Sequence, residues 1–145
     1  MIRYEDVSQD EYVILNEVRD RWFSELAGAE IKMIFDTKKR KSAGKIVLAR
    51  IKKPSEVEKF LCTEPVDYIM FIDQNAWTLA DSEDKVRLIR HELRHTDVDI
   101  DAAKPYKLRG HTVEDFYREI DLNSEKPRWS EELGLLTDMR YEEEV

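Results

Sequence analysis

Cysteine is nearly missing from this chain: Cys62 stands alone among 145 residues, so no internal disulfide framework can form. A lone thiol fits a reducing compartment, and its place after Phe60 and Leu61 predicts a small buried apolar side chain. Long apolar runs are missing too. No stretch approaches the length that crosses a bilayer, and the start Met1-Ile2-Arg3-Tyr4-Glu5-Asp6 lacks the basic-then-apolar pattern of a secretion signal. Together these absences predict a soluble, cytoplasmic protein with no membrane partner.

Positive charge is in deficit. Lys and Arg number 24 against 32 Asp and Glu, a formal net charge of −8 that repels nucleic acid overall. The exception is Lys38-Lys39-Arg40-Lys41 followed by Lys45, Arg50, Lys52 and Lys53. The segment Lys38–Lys53 leaves a phosphate contact open, although such a run usually forms a solvated hairpin. There is no internal repeat and no linker. A 41% hydrophobic content over this length is enough for one domain, residues 1–145, to bury its own core.

Histidine is also scarce, and its three copies fall into one pattern. Arg90-His91-Glu92-Leu93-Arg94-His95 is a complete H-E-x-x-H motif, which a chain of this length matches by chance about once in several hundred trials. On a helix, residues four apart share a face, so His91 and His95 can grip one metal ion while Glu92 reaches a water beside it. This is the arrangement of a zinc peptidase. The third histidine, His111, lies sixteen positions after His95. A catalytic zinc takes three protein ligands and keeps one position open, and neutral imidazole suits it. The expected cofactor is therefore one Zn2+ per chain, on His91, His95 and His111.

Patterning surrounds the motif with an α+β fold. Val13, Ile14, Val18, Trp22, Phe23 and Leu26 recur at helical spacing between Asp10 and Leu26. Alternation predicts strands from Ile31 and Ile46, joined by the basic loop, and Val66–Asp73 reads as a strand covered on both faces. These three strands are expected in one sheet against the motif helix. Glu56–Leu61 is a short helix with Val57, Phe60 and Leu61 facing inward. Asp73-Gln74-Asn75 reads as a turn, and Asp81 or Ser82 caps the motif helix, whose stripe is Val86, Leu88, Ile89 and Leu93. An irregular connection through Pro105 and Gly110 then leads to His111. Val113, Phe116, Tyr117 and Ile120 place that histidine at the start of another amphipathic helix. The tail from Lys126 predicts a short docked segment and an acidic end frayed over about 138–145.

The order of strand, turn with Asn75 and Trp77, motif helix, and Leu108-Arg109-Gly110-His111-Thr112-Val113-Glu114-Asp115-Phe116 resembles the family named putative phage metallopeptidase. More distantly it is similar to the SprT-like, Spartan-type zinc peptidases. The resemblance spans about Ile31 to Ile120. It implies a zincin-like domain in which a following helix supplies the third histidine, a protein or peptide substrate, and a host cell's cytoplasm as the setting if a phage encodes the chain. By analogy with zincins, it also suggests that an extended peptide aligns along Val66–Ile72. The accessory zinc or DNA modules of SprT-like enzymes have no counterpart here, and metzincin spacing is absent.

The mechanism these residues predict is hydrolysis of a peptide bond by a metal-activated water, with Glu92 as general base and proton donor to the leaving amine. Tyr106, Arg109 and Tyr117 are candidate oxyanion donors because each lies near His111. Asp97, Asp99, Asp101 and Asp115 are candidates to orient the histidines, and Glu114 and Asp115 are alternative third ligands. Two rival functions remain at this level. One is a non-catalytic zinc module, closed by a fourth ligand such as Asp99 or Asp101; the other is a metal hydrolase with a non-peptide substrate.

Overall fold

The run Tyr68–Asp73, buried at every position, is an inner strand of the main sheet in a computed structural model that describes residues 2–110, 119 and 122–143. Chain order is β1 (Tyr4–Asp6), α1 (Gln9–Trp22), β2 (Ile31–Asp36), β3 (Lys41–Ser42), β4 (Lys45–Ile46), β5 (Ala49–Lys52) and α2 (Glu56–Leu61). There follow β6 (Tyr68–Asp73), α3 (Gln74–Leu79), α4 (Ser82–Leu93), β7 (Thr96–Val98), β8 (Tyr106–Leu108) and α5 (Trp129–Glu143). The architecture is mixed α+β. Its four-stranded sheet has the order β1-β2-β6-β5, with β2 and β6 parallel and the outer strands antiparallel.

Alternation along β6 splits its burial between two faces. Tyr68, Met70 and Ile72 enter the main core with Met33 of β2, Leu15 and Val18 of α1, and Leu88, Ile89 and Leu93 of α4. On the other face Phe71 lies under the Arg50 guanidinium, 4.0 Å from its ring centroid, and beside the Tyr4 ring. Because β2 and β5 flank it on both sides, β6 has no open edge. It therefore cannot align a peptide by main-chain pairing, and the end strand on that side of the sheet is β5.

The sheet is not built from all three predicted starting points. Ile46 belongs to a separate hairpin, β3–β4, turned by Ala43 (φ 50°) and Gly44 (φ 78°), both in the left-handed region that a two-residue hairpin loop requires. Alternation cannot distinguish a hairpin arm from a sheet strand, and the true sheet member begins at Ala49. Nor is the basic segment merely solvated. Lys39 and Lys41 both pair with Asp138 of α5, at 2.6 and 3.6 Å, and Lys52 pairs with Glu58. The hairpin sits so close to α5 that a Cβ at Gly134 would come 3.3 Å from the Ile46 Cγ2.

Other expectations need correction. Helix α2 forms over the predicted residues through a Ser55/Glu58 capping box, yet Val57, Phe60 and Leu61 face solvent and Cys62 is exposed. Local capping makes this helix without help from a core-facing stripe. The Asp73-Gln74-Asn75 turn is instead the first turn of α3, because the Asp73 side chain accepts from the Ala76 N–H and caps it. The connection after the motif is ordered by pairing of β7 with β8. The acidic tail is helical to Glu143, where Tyr141 donates to Asp73 and Arg140 donates to Asn75 at 3.0 Å. The first helix stops at Trp22, with Phe23 and Leu26 entering the core from the turn that follows. The predicted helix over Val113–Ile120 lies, apart from Glu119, outside the described residues. No described helix is long and apolar enough to cross a membrane.

Candidate metal centre

Helix α4 is positioned at its start by electrostatics and along its length by packing. Asp81 caps it, accepting from the Asp84 N–H at 2.7 Å, and Glu83 and Asp84 sit in the first turn, where the helix dipole favours negative charge. At the far end the helix is shorter than its periodicity suggests. It ends at Leu93, and the His95 N–H bonds the Glu92 carbonyl at 3.1 Å in a tightened last turn. His95 still stacks above His91, edge to face, with ring centroids 5.5 Å apart.

The donor atoms of His91, Glu92 and His95 all lie within 4.8 Å of one another, and both imidazoles are half-buried at the surface. The chain that returns at Arg109 decides which nitrogen His95 could offer a metal. The His95 Nδ1 lies 2.8 Å from the Arg109 carbonyl, so Nδ1–H donates there and Nε2 is the nitrogen that could meet a metal ion. The sequence pointed to carboxylates for this orienting role; a backbone carbonyl takes it. Among the described residues Asp97, Asp99 and Asp101 do not join the donor group, and Asp99 instead accepts from the Asp101 N–H. A closing fourth ligand from Asp99 or Asp101 therefore has no support in this geometry.

Arg109 is the oxyanion candidate that the fold brings to the pair. Its N–H donates to the His95 carbonyl at 2.6 Å and its Nε to the Arg94 carbonyl at 2.9 Å, so it clamps the end of the motif. Tyr106 goes elsewhere: its ring packs edge-on to Tyr68, and its hydroxyl lies against Gly28. His111, Glu114, Asp115 and Tyr117 lie outside the described residues.

Glu92 is buried, 5% exposed, and loss of water pushes its carboxyl up to about 7, with His91 opposing the shift. A pKa near neutrality suits a group that must both take and return a proton. A bound cation would pull the value down again.

Sequence reasoning missed the groups behind the motif. Arg90 and Arg94, one helical turn apart, both reach the fully buried Glu119 carboxylate, at 2.7 and 3.0 Å. Arg90 also donates to Asn123, and its guanidinium lies 4.7 Å from the Trp22 ring centroid, while that of Arg94 lies 4.5 Å from Phe23. The available signal was the i, i+4 arginine pair interleaved with the two histidines, which places the two pairs on adjacent faces of one turn. Nothing local in the sequence assigns Glu119 as their partner.

The class these observations define is a mixed α+β protein with a His-Glu-His group able to hold a metal ion. The family model described as putative phage metallopeptidase matches residues 2–137, and the chain belongs to that family. Comparison with curated proteins and with solved structures gives no match.

Two expected outcomes follow from this geometry. Glu119→Gln leaves two buried guanidinium groups facing a neutral amide and should cost about 3–5 kcal/mol, since breaking a buried ion pair strands a charge. Urea denaturation checks this against Glu131→Gln, an exposed pair whose loss should leave the midpoint unchanged. The second outcome concerns pH in the metal-free protein. Glu92 is protonated in folded and unfolded chains below pH about 4.5, but between there and about 7 only the unfolded chain ionises readily. Wild-type stability should therefore fall relative to Glu92→Gln across that window, by on the order of 3 kcal/mol, and level off above it. Thermal melts in the presence of chelator measure the gap, and a gap that is constant with pH contradicts the assignment.

Proposed function

We propose that this chain acts as one zincin-like domain, a zinc-dependent peptidase in which His91, His95 and His111 hold the ion and Glu92 is the general base. The observation that carries the reading is the donor group at the end of α4: two imidazoles and a buried carboxylate within 4.8 Å, in a chain of a metallopeptidase family. His91 and His95 would hold the ion through ring nitrogens, and neutral imidazole is a ligand type that suits zinc.

His111 follows Arg109 by two residues, which limits their Cα separation to about 7 Å. Arg109 is bonded to His95 through both its N–H and its carbonyl. The chain is thus tethered beside the histidine pair immediately before the third candidate ligand. Eight residues after His111, Glu119 bonds back to Arg90 and Arg94.

When bound, zinc supplies the Lewis acidity that activates water and polarises a carbonyl. The protein's own groups do the rest. Glu92 Oε takes a proton from the attacking water and returns it to the amine as the C–N bond breaks. The Arg109 carbonyl keeps the His95 ring in one tautomer. Arg109, whose backbone is bonded to His95 and whose Nε donates to the Arg94 carbonyl, is our candidate for the oxyanion donor. The end strand β5, which contacts α4, is the natural rail for an extended peptide, in place of β6. A non-catalytic zinc module would need ligands but no base, and the burial of Glu92 beside the histidines favours the enzyme.

Glu92→Gln should keep zinc at wild-type stoichiometry while hydrolysis of unstructured protein substrates falls about 10²–10⁴-fold. Elemental analysis and a cleavage assay with chelator controls measure both. Equal cleavage by the zinc-loaded variant contradicts the mechanism.

A further inference from the structure

A hollow of about 190 Å³ opens between the end of β5, helix α2 and strand β8, and its charge runs against that of the protein. Lys53, Lys59 and Lys104 line it together with one acid, Asp67, in a chain whose net charge is −8. The Asp67 carboxylate is already engaged, accepting from the Glu30 N–H at 2.8 Å. Lys53 is held at the wall by donating to the Tyr106 carbonyl, and an ammonium has two further N–H groups to offer. Among the described residues Lys59 makes one ion pair, with Glu56 at 3.9 Å, and Lys104 makes none. An enclosed cavity of about 150 Å³ takes a benzene ring, so this hollow has room for one long side chain.

Its place in the fold relates it to the metal centre. Lys53 directly follows β5, whose residue Lys52 pairs with Ile69 near the start of β6. Tyr68, at that same start, donates to the Lys107 carbonyl of β8. From Tyr106 at the wall to Arg109, whose carbonyl holds His95, is three residues of chain, about 10 Å at strand rise. A peptide lying along β5 and continuing past Lys53 would reach the hollow, whose Tyr106 wall is within about 10 Å, or three extended residues, of Arg109.

We propose that this lysine-lined hollow is a specificity subsite that accepts an acidic side chain, Glu or Asp, of the peptide substrate, two to three residues from the bond to be cut. The inference rests on the peptidase reading for its substrate class. Three lysines and one acid, Asp67, line the hollow, so a carboxylate entering it meets a wall of net positive charge. Exposed ion pairs are each worth a factor of about 1.4–5, which puts the combined preference for Glu over Gln at about fivefold to tenfold and makes it weaken in high salt.

The test uses the full chain, zinc-loaded and carrying Glu92→Gln, with short fluorescein-labelled Ala/Ser peptides in which one Glu is moved position by position, each beside its Gln twin. Fluorescence anisotropy should show one position where Glu binds about fivefold to tenfold tighter than Gln. Adding Lys59→Ser and Lys104→Ser, both changes at the surface, should abolish that preference while binding of the Gln twin is retained. No position with a preference, or a preference that survives both substitutions, overturns the proposal. The two readings fail separately. A wild-type protein that shows the preference but cleaves no peptide contradicts the peptidase reading and keeps the subsite, whereas cleavage indifferent to acidic residues does the reverse.

Discussion

The carboxylate of Glu119, fully buried between Arg90 and Arg94, is the interaction on which the geometry of the site depends. A buried charge without a partner costs several kcal/mol, so the two arginines and the glutamate must stay together. The arginines alternate with His91 and His95 along one helical turn. Holding the first pair therefore fixes the rotation of the helix and the direction in which the second pair faces. Trp22 and Phe23, from the end of α1, cover the guanidinium planes and bring the first helix into the same arrangement.

A line of charge continues along α4 towards its start. Arg87 bonds Asp84 and Glu125, and Lys126 bonds Asp84. Glu119, Asn123, Glu125 and Lys126 are thus tied to α4, just as Arg109 is tied to Arg94 and His95. The segment carrying His111 runs between these two anchors. The motif helix in this way organises both its own His-Glu-His group and the ends of the stretch proposed to supply a third ligand.

The His91-Glu92-His95 donor group was legible in the sequence because it is local: three positions on one helical turn define it, and no tertiary information is needed. The doubly buried strand was legible for a similar reason, since Tyr68–Asp73 is apolar at nearly every position. Errors arose where local pattern and tertiary placement separate. Val57, Phe60 and Leu61 have helical spacing, yet capping alone forms α2 and the apolar face stays in water. Ile46 alternates like a sheet residue but serves a hairpin docked on α5. The orienting group for His95 is a main-chain carbonyl, which no side-chain pattern can announce. The Glu119 bridge joins residues 25 and 29 positions apart, beyond the reach of any helical or strand period.

The central claim is a zinc ion held by His91, His95 and His111 with a position left for water. X-ray absorption at the zinc edge, on the wild-type protein and on His111→Ala, tests it most directly. The account predicts three imidazole ligands and one exchangeable oxygen in wild type, and two imidazoles in the variant with weaker zinc affinity. An unchanged imidazole count in His111→Ala, or four protein ligands in wild type, would contradict it.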